Sequence, residues 1–341
     1  MKPWIFLGGL LSWLLTSLNL ACAAEAPATA GWVLVVHGGV GVPSRNELTP
    51  AREAAYRKAL GEALDAGQTV LSTNGNSLDA VMAAIRVMED SPLFNAGKGA
   101  ALNQEGVAEL DASIMEGTHL KAGAVAAVRQ IKNPIEAARR VMDTTPHVLL
   151  VGPGADAFAQ QQGLQLRPPE YFIIEERRKQ LEEIQKASQE KKRADNGSGR
   201  VADRVGTVGA VALDRHGHLA AGTSTGGLAG KLPGRVGDSA IIGAGTYANN
   251  ASCAVSGTGQ GEFFIRASAA RDIAALVEYR KMPLQEAADT VVLKTLTDMK
   301  AEAGMIALDR MGTIATPYNT EGMFRGSVRS DGQRNIAIYE K

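Results

Sequence analysis

Apolar residues follow two periods along this chain. Trp32-Val33-Leu34-Val35-Val36 is an unbroken apolar run of strand length, the pattern of a strand buried on both faces. It runs into His37-Gly38-Gly39-Val40-Gly41, where glycines let the backbone approach a neighbour closely. Thr49-Pro50 reads as an N-cap and first helical residue. Tyr56, Leu60, Ala63 and Leu64 then share one helical face, and Gly67 is expected to end that helix. A second helix is expected from Ser77, with Val81, Ala84, Ile85 and Met88 at helical spacing, before a tight loop over 91–99. Strands are expected at 109–115 and 122–128, a helix from Pro134 to about Met142, and another buried strand at 148–151.

The character changes near Tyr171. Residues 175–192 are charged and helix-prone, and Ala194-Asp195-Asn196-Gly197-Ser198-Gly199 is turn and linker chemistry, so about 171–206 reads as an exposed, flexible tether. Beyond it, 207–213 and 218–224 flank Asp214-Arg215-His216-Gly217, a four-residue hairpin turn. Pairing Leu213 with His218 sets Thr207 opposite Ser224, with Thr223 and Thr225 alongside. Spacing alone thus brings hydroxyls to Thr207 without choosing among them. A glycine-rich loop over 226–245, helices over 262–279 and 283–300, and a second hairpin joining 305–308 to 313–316 complete the chain. Strands and helices in separate blocks predict α+β packing with sheets inside and helices outside.

Composition narrows the partners. The 341 residues carry 36 basic and 36 acidic side chains with 45% hydrophobic content, a balance that draws in neither nucleic acid nor an anionic membrane and leaves a small molecule as the partner. Residues 1–24 read as a signal peptide: a lysine, an apolar run to Leu20, then Ala21-Cys22-Ala23-Ala24. The run is short for a membrane anchor, and Asn19-Leu20-Ala21 is a poor prelude to lipidation of Cys22. Export, to the periplasm, is the expectation. Cleavage removes Cys22 and leaves Cys253 alone, without an internal disulfide.

Three constellations bear on chemistry. Gly222-Thr223-Ser224-Thr225-Gly226 matches a nucleophile elbow, but all five histidines precede Ser224, so the triad order fails. The same histidines form no metal-ligand spacing. The third is the junction Val205-Gly206-Thr207-Val208, where a polar segment meets a clean strand. Cleavage there makes Thr207 an N-terminus whose α-amine, with a reference pKa of about 7.7–8.0, can take the proton of its own hydroxyl. Attack by that hydroxyl on the preceding carbonyl needs an unusual backbone, which Gly206 tolerates.

Several motifs carry a resemblance: Gly206-Thr207-Val208-Gly209-Ala210-Val211-Ala212, Thr223-Ser224-Thr225-Gly226-Gly227, Lys231-Leu232-Pro233-Gly234-Arg235-Val236-Gly237-Asp238-Ser239, Gly243-Ala244-Gly245-Thr246-Tyr247-Ala248-Asn249-Asn250 and Gly257-Thr258-Gly259-Gln260-Gly261-Glu262. With His37-Gly38-Gly39, Phe94-Asn95-Ala96-Gly97 and Glu109-Leu110-Asp111-Ala112, they resemble the plant-type (class 2) L-asparaginase and isoaspartyl peptidase family, from Trp32 to the C-terminus outside the tether.

The resemblance implies an N-terminal nucleophile hydrolase, a four-layer αββα sandwich made as a proenzyme. Residues 25–206 would become an α subunit and 207–341 a β subunit, together one catalytic domain, with two αβ units forming a homodimer. It implies that Thr207 is the nucleophile and Thr225 supports it. Thr258 and the backbone of Gly259 would form the oxyanion hole. Arg235, with its planar fork, would hold the substrate carboxylate, and Asp238 its ammonium. Asn95 and the His37-Gly38-Gly39 turn would shape the pocket from behind. The resemblance implies no cofactor for the chemistry, but a structural alkali ion, usually sodium, on backbone carbonyls of Met88, Glu89, Ser91, Phe94, Ala96 and Lys98. The implied reaction cleaves β-aspartyl dipeptides and the side-chain amide of L-asparagine. Two alternatives are a glycosylasparaginase, which usually has aspartate where Gly206 stands, and an uncleaved amino-acid-binding protein.

Overall fold

The computed structural model describes residues 31–194 and 206–340, besides Met1. The rest of the expected signal peptide, with Cys22, and the 195–205 part of the expected tether lie outside the described residues. In chain order the elements are β1 (Val33–Val40), α1 (Pro50–Ser72), α2 (Ser77–Asp90), β2 (Leu110–Glu116), β3 (Ala122–Val128), α3 (Pro134–Thr144), β4 (Leu149–Val151), α4 (Gly152–Gln161) and α5 (Glu175–Ala194). Then come β5 (Val208–Leu213), β6 (Leu219–Thr225), β7 (Thr246–Ala248), β8 (Cys253–Gly259), α6 (Gly261–Ala267), α7 (Ala269–Arg280), α8 (Leu284–Asp289), β9 (Ala303–Asp309), β10 (Ile314–Ala315), β11 (Met323–Arg329) and β12 (Arg334–Ala337).

One sheet has the order β12-β11-β1-β5-β6-β2-β3-β4 and a second the order β10-β9-β8-β7. The alternation of strand side chains feeds two cores at once. Leu34 and Val36 of β1 join Leu60, Leu64, Val81, Ile85 and Ile135 of the helices α1 to α3. Val33 and Val35 point the other way, into a core with Val255 and Met305 of the second sheet and Ile273 and Val291 beyond it. This double burial is why β1 reads as one apolar run. Thr49 caps α1 by accepting the Arg52 N–H at 3.3 Å, and Asn76 caps α2 by accepting the Asp79 N–H at 2.8 Å.

Several expectations are corrected. Helix α1 does not stop at Gly67 but runs through it. A Cβ there would lie 2.5 Å from a Leu34 methyl and 3.0 Å from the Ala80 carbonyl, so glycine admits close packing instead of ending the helix. The strand at 149–151 is the exposed edge of the large sheet, with Val151 56% exposed, not a buried strand. The expected helix over 262–279 breaks at Ser268, which has φ +49°, and the one over 283–300 becomes α8 followed by a π-helical stretch, Thr290–Leu296. The expected tether is docked along much of its length: Phe172 and Leu181 are buried, and Arg177 Nε donates to the Gly99 carbonyl at 2.7 Å.

The hairpin register is also one residue off the expectation. Leu213 pairs with Leu219 and Val208 with Ser224, because Asp214 and His218 close the loop between them. Asp214 Oδ1 accepts both the His216 and His218 N–H groups and stiffens that turn. Asp309 does the same for the Met311 and Thr313 N–H groups in the second hairpin. One step beyond the Val208–Ser224 pair, Thr207 meets Thr225 rather than Ser224.

Candidate active site

Thr207 opens β5 from a buried position, and its Oγ1 donates to Thr225 Oγ1 at 3.0 Å. Thr225 Oγ1 also accepts the Gly227 N–H at 3.0 Å and donates to the Gly206 carbonyl at 3.3 Å. A hydroxyl has one proton and two lone pairs, so this set is complete. The second donor to the Gly206 carbonyl is Asn95 Nδ2, at 2.7 Å. Asn95 is held by donating also to the Gly227 carbonyl and by accepting the Ala101 N–H, each at 2.7 Å. It therefore touches the junction directly, a closer role than shaping the pocket from behind. One carbonyl with two fixed donors beside the Thr207 hydroxyl is a geometry that can stabilise negative charge developing on that oxygen.

The turn after β1 presses on the same bond. Gly39 has φ +106°, and a Cβ there would sit 2.8 Å from both Gly206 Cα and Thr207 N. The next residue, Val40, donates its N–H to Thr258 Oγ1 at 3.2 Å, and Gly259 follows as the last residue of β8. The candidate oxyanion residues thus adjoin the turn that touches Thr207. A cavity of about 50 Å³ lined by Gly206, Asn95, Gly38, Phe94 and Tyr56 leaves room for water there.

The recognition side is charged. Arg235 Nε and Nη2 hold the two Glu262 carboxylate oxygens at 2.9 and 3.0 Å. Asp238 is buried with Oδ2 unpartnered, and burial lifts its carboxyl to about 6 although Arg235 pulls it down. The loop bearing both residues is pinned to the start of β2. Lys231 Nζ donates to the Glu109 carbonyl at 2.8 Å, Glu109 Oε2 accepts the Gly234 N–H at 3.0 Å, and Asp111 Oδ2 faces the Gly237 N–H at 3.5 Å. Burial depresses the Lys231 ammonium and raises the Asp111 carboxyl, each opposed by the other's charge. Lys231, Glu109, Asp111 and Glu262 had no role in the sequence reading. The available signal was the Glu109-Leu110-Asp111 alternation, which puts two carboxylates on one face of a strand.

The serine of the elbow motif donates to a carboxylate instead of meeting a histidine: Ser224 Oγ lies 2.6 Å from Glu89 Oε1. Burial raises the Glu89 carboxyl to about 8. The Glu89 side chain, which also accepts the Ile135 N–H at 3.0 Å, points away from the 88–98 loop. Inside that loop, backbone oxygens crowd together. A Cβ at Gly97 would lie 2.2 Å from the Glu89 carbonyl oxygen, and one at Gly99 2.2 Å from that of Phe94. Lys98 reaches out over the Tyr171 ring. Among the described residues no cluster of three His, Cys, Asp or Glu could hold a metal ion, and no helix is long and apolar enough to cross a membrane.

A family profile described as asparaginase matches residues 30–338. The chain is 48% identical over 312 residues to an isoaspartyl peptidase of Escherichia coli (strain K12), covering 91% of this chain and 96% of that protein. It is 41% identical over 309 residues to an isoaspartyl peptidase/L-asparaginase of Xenopus laevis, covering 90% and 95%. A third relative, an isoaspartyl peptidase/L-asparaginase of Mus musculus, is 40% identical over 312 residues, covering 92% of each chain.

Proposed function

As the chain belongs to the asparaginase family, we propose that it is a threonine hydrolase that cuts itself before Thr207 and then hydrolyses β-aspartyl dipeptides and L-asparagine to release L-aspartate. The observation that carries this reading is the Gly206 carbonyl, held by Asn95 and Thr225 beside the hydroxyl of Thr207.

In self-cleavage, Thr207 Oγ1 adds to the Gly206 carbonyl carbon and the negative charge falls on the oxygen held by Asn95 and Thr225. The hydroxyl proton passes to the Thr207 nitrogen, the C–N bond breaks, and an ester remains. Water from the adjoining cavity hydrolyses the ester, giving a Gly206 carboxylate and a free Thr207 amine. That amine becomes the base for turnover. It takes the hydroxyl proton as Oγ1 attacks the side-chain carbonyl of the substrate. Thr258 Oγ1, which already accepts the Val40 N–H, directs its own proton toward the oxyanion with the Gly259 N–H. The protonated amine gives its proton to the leaving ammonia or amino acid, and water then releases aspartate from the acyl-enzyme.

Arg235 and Asp238 meet the substrate's carboxylate and ammonium. The unpartnered Asp238 oxygen is an acceptor waiting for such a donor. A sodium ion on the carbonyls of Met88, Glu89, Ser91, Phe94, Ala96 and Lys98 would stiffen the loop that carries Asn95, without entering the chemistry. In the same reading, residues 1–24 are an export signal to the periplasm. Residues 25–206 and 207–341 become the two subunits of one αββα domain, and two such units pair. The contact of both sheets with separate helix sets supports the layering.

Gly206 favours this branch over a glycosylasparaginase. The experiment is a β-aspartyl dipeptide assay on protein analysed by denaturing gel. Two fragments with aspartate release support the enzyme; one band that binds but does not hydrolyse would leave an amino-acid-binding protein.

A further inference from the structure

A polar chain crosses the core between the two sheets. His37 Nε2 lies 2.9 Å from Ser256 Oγ, which lies 2.7 Å from Thr223 Oγ1. Thr246 Oγ1 is 2.6 Å from Thr223 Oγ1 and 2.8 Å from Ser113 Oγ, and Ser113 Oγ reaches the Ser239 carbonyl at 2.6 Å. All five side chains are 0% exposed. They come from β1, β8, β6, β7 and β2, so both sheets contribute. Apolar residues on the same strand faces, Val35, Ala221 and Ala254 among them, are buried around it.

Both ends of the chain reach the site. The His37 ring lies over Gly209, where a Cβ would come within 2.3 Å of Nε2, and the Thr207 backbone is near enough to raise its basicity. Burial outweighs that contact and holds the imidazole at about 3, so it is neutral at working pH. The next residues, Gly38 and Gly39, form the turn that presses on Gly206 and Thr207. At the far end, Ser239 adjoins Asp238. A run of buried hydroxyls is a poor way to gain stability, since apolar residues of the same shape fill such a core without desolvation. Its continuity between two functional ends asks for another use.

We propose that His37, Ser256, Thr223, Thr246 and Ser113 form a positioning chain that holds the Thr207 nucleophile and the Asp238 recognition turn in one fixed relation. The inference rests on the hydrolase reading above. None of the five needs to touch substrate. Each hydroxyl bridges two buried polar partners, so removing one link takes a hydrogen-bond partner from both of its neighbours and loosens both ends.

The test uses the full-length enzyme, with processing, melting temperature, kcat and KM measured for each variant. Ser256→Ala breaks the chain near the nucleophile and is expected to lower kcat by roughly tenfold. Ser113→Ala breaks it near the recognition turn and is expected to raise KM by roughly tenfold, and the double variant should lose less in kcat/KM than the product of the two. Ser113 and Ser256 do not touch, so such coupling must pass through the chain. Thr246→Val, which keeps the shape, should lose activity, and Thr246→Ser, which keeps the hydroxyl, should restore it. Single variants that melt lower yet keep wild-type kcat and KM, or two serine effects that simply multiply, would overturn the proposal. If Thr246→Val does not fold, the two serine variants decide alone. A wild-type protein with no β-aspartyl activity would sink the hydrolase reading itself, a different outcome from a normal wild type with silent variants.

Discussion

The two ends of the site are held by different forces. At the nucleophile end, Thr207, Thr225 and Asn95 are neutral, sit on or beside strands, and are set by register and short hydrogen bonds. At the recognition end, Arg235 and Asp238 hang on a loop, and buried charges from Lys231, Glu109 and Asp111 hold that loop down. Neutral groups survive burial at little electrostatic cost, so Thr207, Thr225 and Asn95 need no partner charges. Charged groups must be paired or shifted in pKa, so at the proposed recognition end the Arg235 fork rests on Glu262 and burial raises the Asp238 carboxyl to about 6. The comparison predicts that the nucleophile end fails in rate and the recognition end in affinity.

The largest effect breaks the first side outright. Thr207→Ala should fold, remain one uncut chain on a denaturing gel, and lose activity by at least roughly 10⁴-fold, since nucleophile and base are the same residue. Next, Asn95→Ala removes one donor from the Gly206 carbonyl. Self-cleavage, followed by band intensity over time, should slow by roughly 10²-fold. Uncut protein should accumulate in a pulse-chase. On the other side, Arg235→Lys keeps the charge but loses the fork. KM for a β-aspartyl dipeptide should rise roughly tenfold or more with kcat changed far less. An equal fall in kcat would show that the two ends are not separable in this way.

The smallest effect sharpens the contrast through pH. Asp238 ionises near 6, and in the role proposed for it only the carboxylate would pair with the substrate ammonium. As pH falls through 6 the protonated form takes over, so KM should climb by up to about tenfold per unit below that point. Loss of the Thr207 amine as a base should appear in kcat instead, at the higher pH where an α-amine titrates, about 7.7–8.0 in reference peptides. Asp238→Asn should raise KM and flatten its pH profile, leaving the kcat limb in place. A KM profile that still bends near 6 in that variant would assign the titration to another group.

The same division decides what the sequence made legible. Local patterns were readable: the double burial of β1, the cap at Thr49, the turn of the β5–β6 hairpin, and a strand beginning after a polar junction. Thr207 came from that junction alone. Its partner Thr225 came only from the resemblance, because assuming a four-residue loop shifted the register by one, and a single step exchanges Ser224 for Thr225. The break at Ser268 and the passage of α1 through Gly67 were hidden because tertiary packing, not helical period, sets them. Strands β11 and β12, which complete the large sheet beside β1, also went unread; they form a hairpin whose other partner, β1, lies far away in sequence. The recognition end suffered most. Arg235 was read only as a ligand for the substrate carboxylate, yet it holds Glu262, and the Lys231, Glu109 and Asp111 staples join segments more than a hundred residues apart. Contacts between distant charges leave no periodic trace.

The central claim is that the working enzyme carries a free threonine amine at residue 207. The direct measurement is the intact mass and N-terminal sequence of each polypeptide in a preparation with demonstrated β-aspartyl hydrolase activity. The account predicts a smaller fragment spanning 207–341 that begins Thr-Val-Gly-Ala. Full activity from one uncut chain, or a smaller fragment beginning at any other residue, would contradict it.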